Sequence, residues 1–283
     1  MKMTTYVLIH GAAGSAWEWH LVASELGGRG HEVVAMDLPC DDDSAGLSEY
    51  TDAVIDAIGK RPGLVLVAQS FGGFTAPLVC DRVPVDLLVM LTAMIPSPGE
   101  PPGDWWDNTG YTQAKQEQVE RDGSVGEDED EIATFLHDVP PALAAEAIRR
   151  GRPQSGTPME KPWPLEAWPD VPTRFLLCRD DRFFPADFMR RVVRERLVHL
   201  PVDPLAFERP CIPARVVPPR SRTLRVRSLV APSDQGAVTL SLLTVSPVRS
   251  TGIDPDEIDG SHCVALSRPK ELADRLEEYA SRR

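Results

Sequence analysis

The chain has 283 residues, of which 42% are hydrophobic and 26% charged, enough for one large α/β domain with a substantial core or for two small ones. A net charge of −13 and a pI near 4.9 exclude the basic footprint of a nucleic-acid binder and disfavour an anionic membrane surface. No apolar run approaches the roughly 20 residues of a membrane-spanning helix, and Tyr6 to Ile9 is too short for a signal-peptide core. The five cysteines (Cys40, Cys80, Cys178, Cys211, Cys263) form an odd, dispersed set without metal-ligand spacing, which points to a reducing, cytoplasmic setting.

Tyr6-Val7-Leu8-Ile9 reads as a buried strand, and His10-Gly11-Ala12-Ala13-Gly14 as the tight loop after it. Ala16 to Leu26 carries apolar residues at helical spacing and stops at Gly27-Gly28. Glu32 to Met36 is a second strand, and Ser48 to Ile58 a second helix with Ser48 as the expected N-cap. Leu64 to Ala68 is the third strand, Phe71 to Asp81 the next helix, and Val85 to Thr92 the fourth strand. This rhythm predicts an α/β fold, a mostly parallel sheet with helices on both faces.

From about Pro96 to Pro169 the rhythm breaks, and residues 97–169 are expected to form a helical cap inserted after the fourth strand. Ala114 to Arg121 and Ile132 to His137 are its helical pieces, and Glu127 to Glu131 is a solvated acidic run. Trp105 and Trp106 either line a pocket or fill the cap's own core. The sheet resumes at Arg174 to Cys178, followed by a helix to about Leu197, then Asp256-Glu257-Ile258 and a closing helix from Pro269 to Tyr279. Residues 198–251 do not belong to the pattern: seven arginines, no lysine and three acidic residues leave them at net +4. They read as an inserted Arg- and Pro-rich segment of a single domain spanning 1–283, with a hairpin expected over Thr223 to Val230 and Ala237 to Val245.

Ser70 stands where the third strand stops, in Ala68-Gln69-Ser70-Phe71-Gly72. A serine on a sharp strand-to-helix turn has its hydroxyl pushed out of the sheet's end, and small neighbours permit the strained backbone this requires. A serine hydroxyl is a weak nucleophile without a base, and that base needs an orienting group. His262, in the Gly260-Ser261-His262 loop, suits the base; Asp181 suits the orienter, with Asp180 its rival one residue earlier. The order Ser70, Asp181, His262 is the one expected of a nucleophile elbow. The backbone amides of Ala12 and Phe71 are the natural donors to an oxyanion. Gly-x-Gly-x-x-Gly is absent, so the first loop is not a dinucleotide fingerprint. His10 is expected to shape the loop behind the oxyanion donors, His20, His31 and His137 to occupy surface or helix positions, and Asp37 to brace loops.

Together His10-Gly11-Ala12, Ala68 to Gly73, Arg179-Asp180-Asp181-Arg182-Phe183-Phe184-Pro185 and Gly260-Ser261-His262 resemble the α/β-hydrolase superfamily. Within it the chain is most similar to the small esterases related to plant methylesterases and hydroxynitrile lyases, over nearly everything except residues 198–251. The resemblance implies a serine hydrolase that needs no cofactor or metal and cleaves a small ester or related acyl substrate through an acyl-enzyme. Ser70 would be nucleophile, His262 general base, Asp181 its partner, and Ala12 and Phe71 the oxyanion hole. Ala68 departs from the usual first elbow glycine, and Cys178 from a glycine often found before the acid loop. The lyase branch relies on a basic side chain in the pocket; nothing distinguishes Lys115 or Lys161, the candidates in the cap, so ester hydrolysis leads. The alternatives are a lyase using the same triad, or a catalytically silent binding protein that docks a partner through its Arg-rich segment.

Overall fold

A computed structural model describes residues 3–122, 130–197 and 254–282. Six parallel strands form one sheet in the order β2-β1-β3-β4-β5-β6: β1 Thr5–Ile9, β2 Glu32–Ala35, β3 Leu64–Gln69, β4 Leu87–Leu91, β5 Thr173–Cys178 and β6 Asp256–Ile258. The strands β1, β3 and β4 are buried throughout and mostly apolar, because both faces of the sheet are covered; Thr5 and Gln69 are the polar exceptions at their ends. Alternate residues separate cleanly. Val7, Ile9, Leu66, Leu88, Met90, Phe175 and Leu177 pack on one side. Tyr6, Leu8, Val65, Val67, Val89 and Leu176 pack on the other.

The first side is covered by α2 (Leu47–Ile58), α3 (Gly72–Arg82) and α8 (Ala186–Arg196). The second is covered by α1 (His20–Gly28) and α10 (Pro269–Ser281), with a short α9 (Val264–Ser267) before it. The helix expected over Ala16 to Leu26 divides into a 3-10 turn, Ala16–Trp19, and α1. Ser48 does not cap α2. Gly46 does, because the Glu49 carboxylate reaches back to the Gly46 N–H at 2.8 Å and satisfies that donor itself.

Between β4 and β5 lie α4 (Trp105–Thr109), α5 (Tyr111–Asp122), α6 (Glu131–Phe135) and α7 (Pro141–Arg150). Trp105 is fully buried, packs into the main core and donates its indole N–H to the Ile95 carbonyl at 3.0 Å; Trp106 is only partly buried. Asp130 and Glu131 are exposed, as a solvated run requires, while residues 127–129 lie outside the described residues. So do the inserted segment, its expected hairpin and Cys211. The parts of the chain before and after residues 204–250 form one compact unit. Arg194 on α8 meets Asp254 at 3.0 Å, so the chain resumes beside the helix it left. Among the described residues no helix is long and apolar enough to cross a membrane, and no group of His, Cys, Asp and Glu could hold a metal.

Candidate active site

Every strand of interest delivers its functional residue at its C-terminal end, the edge where open α/β sheets bind ligands. Ser70 follows β3 with φ of +51°, a left-handed conformation that side chains rarely adopt. Its carbonyl accepts the N–H groups of Gly73 at 3.0 Å and Met94 at 2.9 Å, which holds the turn shut. The glycines around it answer to space. A Cβ on Gly11 would lie 2.9 Å from the Ser70 Cβ, and one on Gly73 only 2.0 Å from the Met94 carbonyl oxygen. Ala68 sits before the turn, in regular strand register beside Ile9 and Met90, so an alanine there meets no such constraint.

The loop after β1 is pinned from both sides. His10 is buried, accepts the Leu38 N–H at its Nε2 (2.9 Å), and therefore carries its proton on Nδ1, donated to the Gly11 carbonyl at 2.7 Å. Burial pushes its pKa down to about 4, which keeps the ring neutral. From the other side Gln154 accepts the Ala13 N–H at 3.0 Å, and the Arg152 N–H donates to the Ala13 carbonyl at 3.0 Å. Asp37 braces the same region by accepting the Ala16 N–H at 2.7 Å. Among the described residues the N–H groups of Ala12 and Phe71 have no protein acceptor.

Asp181, not Asp180, is the carboxylate bonded to His262. Its Oδ2 lies 2.8 Å from His262 Nδ1 and 2.9 Å from Thr92 Oγ1. Its Oδ1 accepts the N–H groups of Phe183 at 2.8 Å and Phe184 at 2.9 Å. Because the carboxylate only accepts, His262 holds a proton on Nδ1, which leaves Nε2 as the ring nitrogen turned away from Asp181. Asp180 instead ties two loops together, accepting the Gly260 N–H at 2.9 Å while its own N–H donates to the Gly260 carbonyl at 3.2 Å. Ser70 and His262 are linked through their neighbours: the Gln69 side-chain amide donates to the His262 carbonyl at 2.8 Å. Among the described residues no hydrogen bond engages the Ser70 hydroxyl, which is common before substrate tightens such a site.

Three rings, Phe135, Phe183 and Phe184, stand edge-on around the His262 imidazole with centroids 5.3–5.5 Å away and shut water from it. The non-glycine residues with positive φ among those described are Ala13, Ser70 and Thr92, and all three border this site. Backbone strain of that kind is of order 1–3 kcal/mol per residue and persists where the surroundings enforce it.

Several residues here carry no signal in the sequence. Glu18 places both carboxyl oxygens 2.9 Å from where a Gly14 Cβ would stand, beside His10 Nδ1 and within electrostatic reach of His262. Burial pushes its pKa up to about 7, against the opposing pull of the Ser15 amide. Thr92 and Gln69 read only as the ends of strands. Lys115, undistinguished by sequence, is buried and donates to the Arg182 carbonyl and to Gln118. Two histidines expected at surface or helix positions make specific contacts: His31 meets Glu277 at 2.9 Å with its side chain almost wholly covered, and His137 bonds the Asp180 carbonyl at 2.9 Å.

The sequence pattern of the alpha/beta hydrolase family matches residues 6–275. Methylesterase 9 of Arabidopsis thaliana is 24% identical over 218 residues, 68% of this chain and 85% of that protein. Norfluorocurarine synthase 1 from a Strychnos species is 24% identical over 227 residues, 66% of this chain and 82% of that protein. Among solved structures, polyneuridine aldehyde esterase aligns over 99% of this chain and 100% of its own with a TM-score of 0.66 and 18% identity, a likeness of fold.

Proposed function

Because the chain belongs to the alpha/beta hydrolase family, we propose that it is a serine esterase that cleaves a small ester through Ser70, His262 and Asp181. The observation that carries this reading is the His262–Asp181 bond at 2.8 Å, on a loop that Gln69 ties beside the strained Ser70 turn. His262 Nε2 takes the Ser70 proton as Oγ attacks the ester carbonyl, and the buried Asp181 carboxylate stabilises the imidazolium. The oxyanion is received by the N–H groups of Ala12 and Phe71, the latter opening α3, where the helix dipole also favours negative charge. Collapse expels the alcohol with the proton from His262; water then repeats the sequence on the acyl-enzyme and frees the acid and Ser70.

None of these steps calls for a metal or cofactor. The names of the methylesterase relatives direct the first assays to methyl esters of small acids. Lys115 is occupied by the Arg182 carbonyl and Gln118, which favours hydrolysis over a lyase reaction that needs a basic group in the pocket. Hydrolysis of a nitrophenyl acetate and labelling of Ser70 by a fluorophosphonate, mapped by mass, test the proposal. Ser70→Ala is expected to abolish both; turnover that survives the substitution refutes it. A folded protein that takes no label is instead a binding protein.

A further inference from the structure

The acid loop after β5 turns four consecutive carbonyls, those of residues 180–183, toward the chain between β4 and β5, and each accepts a side-chain hydrogen bond from it, three from α5 and one from the turn after α6. His137 Nε2 donates to the Asp180 carbonyl at 2.9 Å and Gln118 Nε2 to the Asp181 carbonyl at 3.3 Å. Lys115 Nζ donates to the Arg182 carbonyl, and the Tyr111 hydroxyl to that of Phe183 at 3.2 Å. Tyr111, Lys115 and Gln118 are spaced by four and three residues, so they form one stripe along α5 facing the loop. Lys115 and Gln118 are also joined to each other, Nζ to Oε1 at 3.2 Å. Both are buried, only 4% and 7% exposed. An ammonium buried that far is unfavourable unless hydrogen-bonded, so its place beside the loop is not incidental to solubility.

We propose that Tyr111, Lys115, Gln118 and His137 are positioning residues that set the Asp181 carboxylate against His262 by holding the four carbonyls around it. The proposal rests on the reading of Asp181 as the partner of a catalytic His262. The side chain follows the loop because Asp181 Oδ1 is bonded to the N–H groups two and three residues on, making carboxylate and backbone one rigid piece. A loop shifted by about 1 Å lengthens the His262 contact, and misplacement of that size costs on the order of a hundredfold in rate. The chain between β4 and β5 and the His262–Asp181 pair are therefore mechanically joined.

The test uses three variants of the full chain. Gln118→Glu keeps the size and the acceptor for Lys115 but turns an oxygen toward the Asp181 carbonyl; Lys115→Met removes the donor; Lys115→Arg retains one. For nitrophenyl acetate, Gln118→Glu and Lys115→Met are expected to lower kcat and the rate of Ser70 labelling about tenfold with KM changed less than twofold. Lys115→Arg is expected to stay within about threefold of the parent. The low-field proton resonance of the His262 Nδ1–H, identified by its loss in His262→Ala, should move upfield or broaden in the first two and persist in Lys115→Arg. Unchanged kcat, or an unmoved imidazole proton in folded Gln118→Glu and Lys115→Met, overturns the proposal. If the parent protein neither hydrolyses nor labels, the esterase reading fails, and the imidazole proton alone decides this one.

Discussion

Glu18→Gln separates the effect of a charge from the effect of a shape. The parent residue as a whole is partly buried, while its carboxyl end, lodged against Gly14 beside His10, is the enclosed part. In the unfolded chain this group titrates at its ordinary 4.5, in the folded protein at about 7. Between those values the folded protein holds a proton that the unfolded chain has released, so stability falls as pH rises, by about 1.4 kcal/mol per pH unit. The loss is complete near pH 7 and amounts to about 3 kcal/mol at most. A glutamine cannot ionise. The variant should therefore match the parent near pH 4, where both side chains are neutral, and exceed it by up to about 3 kcal/mol at pH 8. Urea unfolding at pH 4, 6 and 8 measures the gap; with a slope of about 3 kcal/mol/M, the midpoint at pH 8 should rise by roughly 1 M. A gap that does not change with pH, or a variant weaker than the parent at pH 8, refutes the reasoning.

Asp181→Asn preserves the size of the acid but turns an amide N–H₂ toward His262 once Oδ1 keeps its bonds to Phe183 and Phe184. The imidazole is then forced into the wrong tautomer, and kcat should drop by on the order of 10³–10⁴ with the circular dichroism unchanged. Gly73→Ala would set a Cβ 2.0 Å from the Met94 carbonyl, so the thermal midpoint should fall by the equivalent of about 3 kcal/mol or more. Arg196→Met removes the fork that grips Glu100 at 2.5 and 2.8 Å and leaves that buried carboxylate without its counter-ion, held only by the Ser97 N–H and the Asn108 amide. The expected loss is about 3–5 kcal/mol by denaturant unfolding, and Arg196→Met with Glu100→Gln should recover part of it.

The strands were legible because β1, β3 and β4 are short, carry continuous apolar runs of four or five residues and are bounded by turn residues, a local pattern that burial on both faces produces. The Ser70 turn was legible for a similar reason: Gly11, Gly72 and Gly73 mark close approaches that admit no side chain. The N-cap of α2 was not, since Ser48 and Gly46 are both acceptable and the Glu49 carboxylate made the choice. The helices α4 and α7 were missed for different reasons: a single turn of Trp105–Thr109 is too short to display a period, whereas Pro141–Arg150 is amphipathic and its period went unread inside the proline-punctuated stretch. Nothing in the residues before and after Glu18 announces a carboxyl driven against Gly14 and His10. That environment comes from packing, and so does its pKa.

What the chain carries in its own order of residues is the parallel α/β layering, the turn at Ser70 and the candidates Asp181 and His262, each written within a few positions of a strand end. Choosing between Asp180 and Asp181 was left to tertiary structure, because both follow β5 and only the geometry of the His262 loop distinguishes them. The same holds for the donors that hold the acid loop. His137, Gln118, Lys115 and Tyr111 reach carbonyls 43 to 72 residues away in sequence. Hydrogen bonds over such separations leave no local period or spacing; they exist only once the sheet and the helices above it have met.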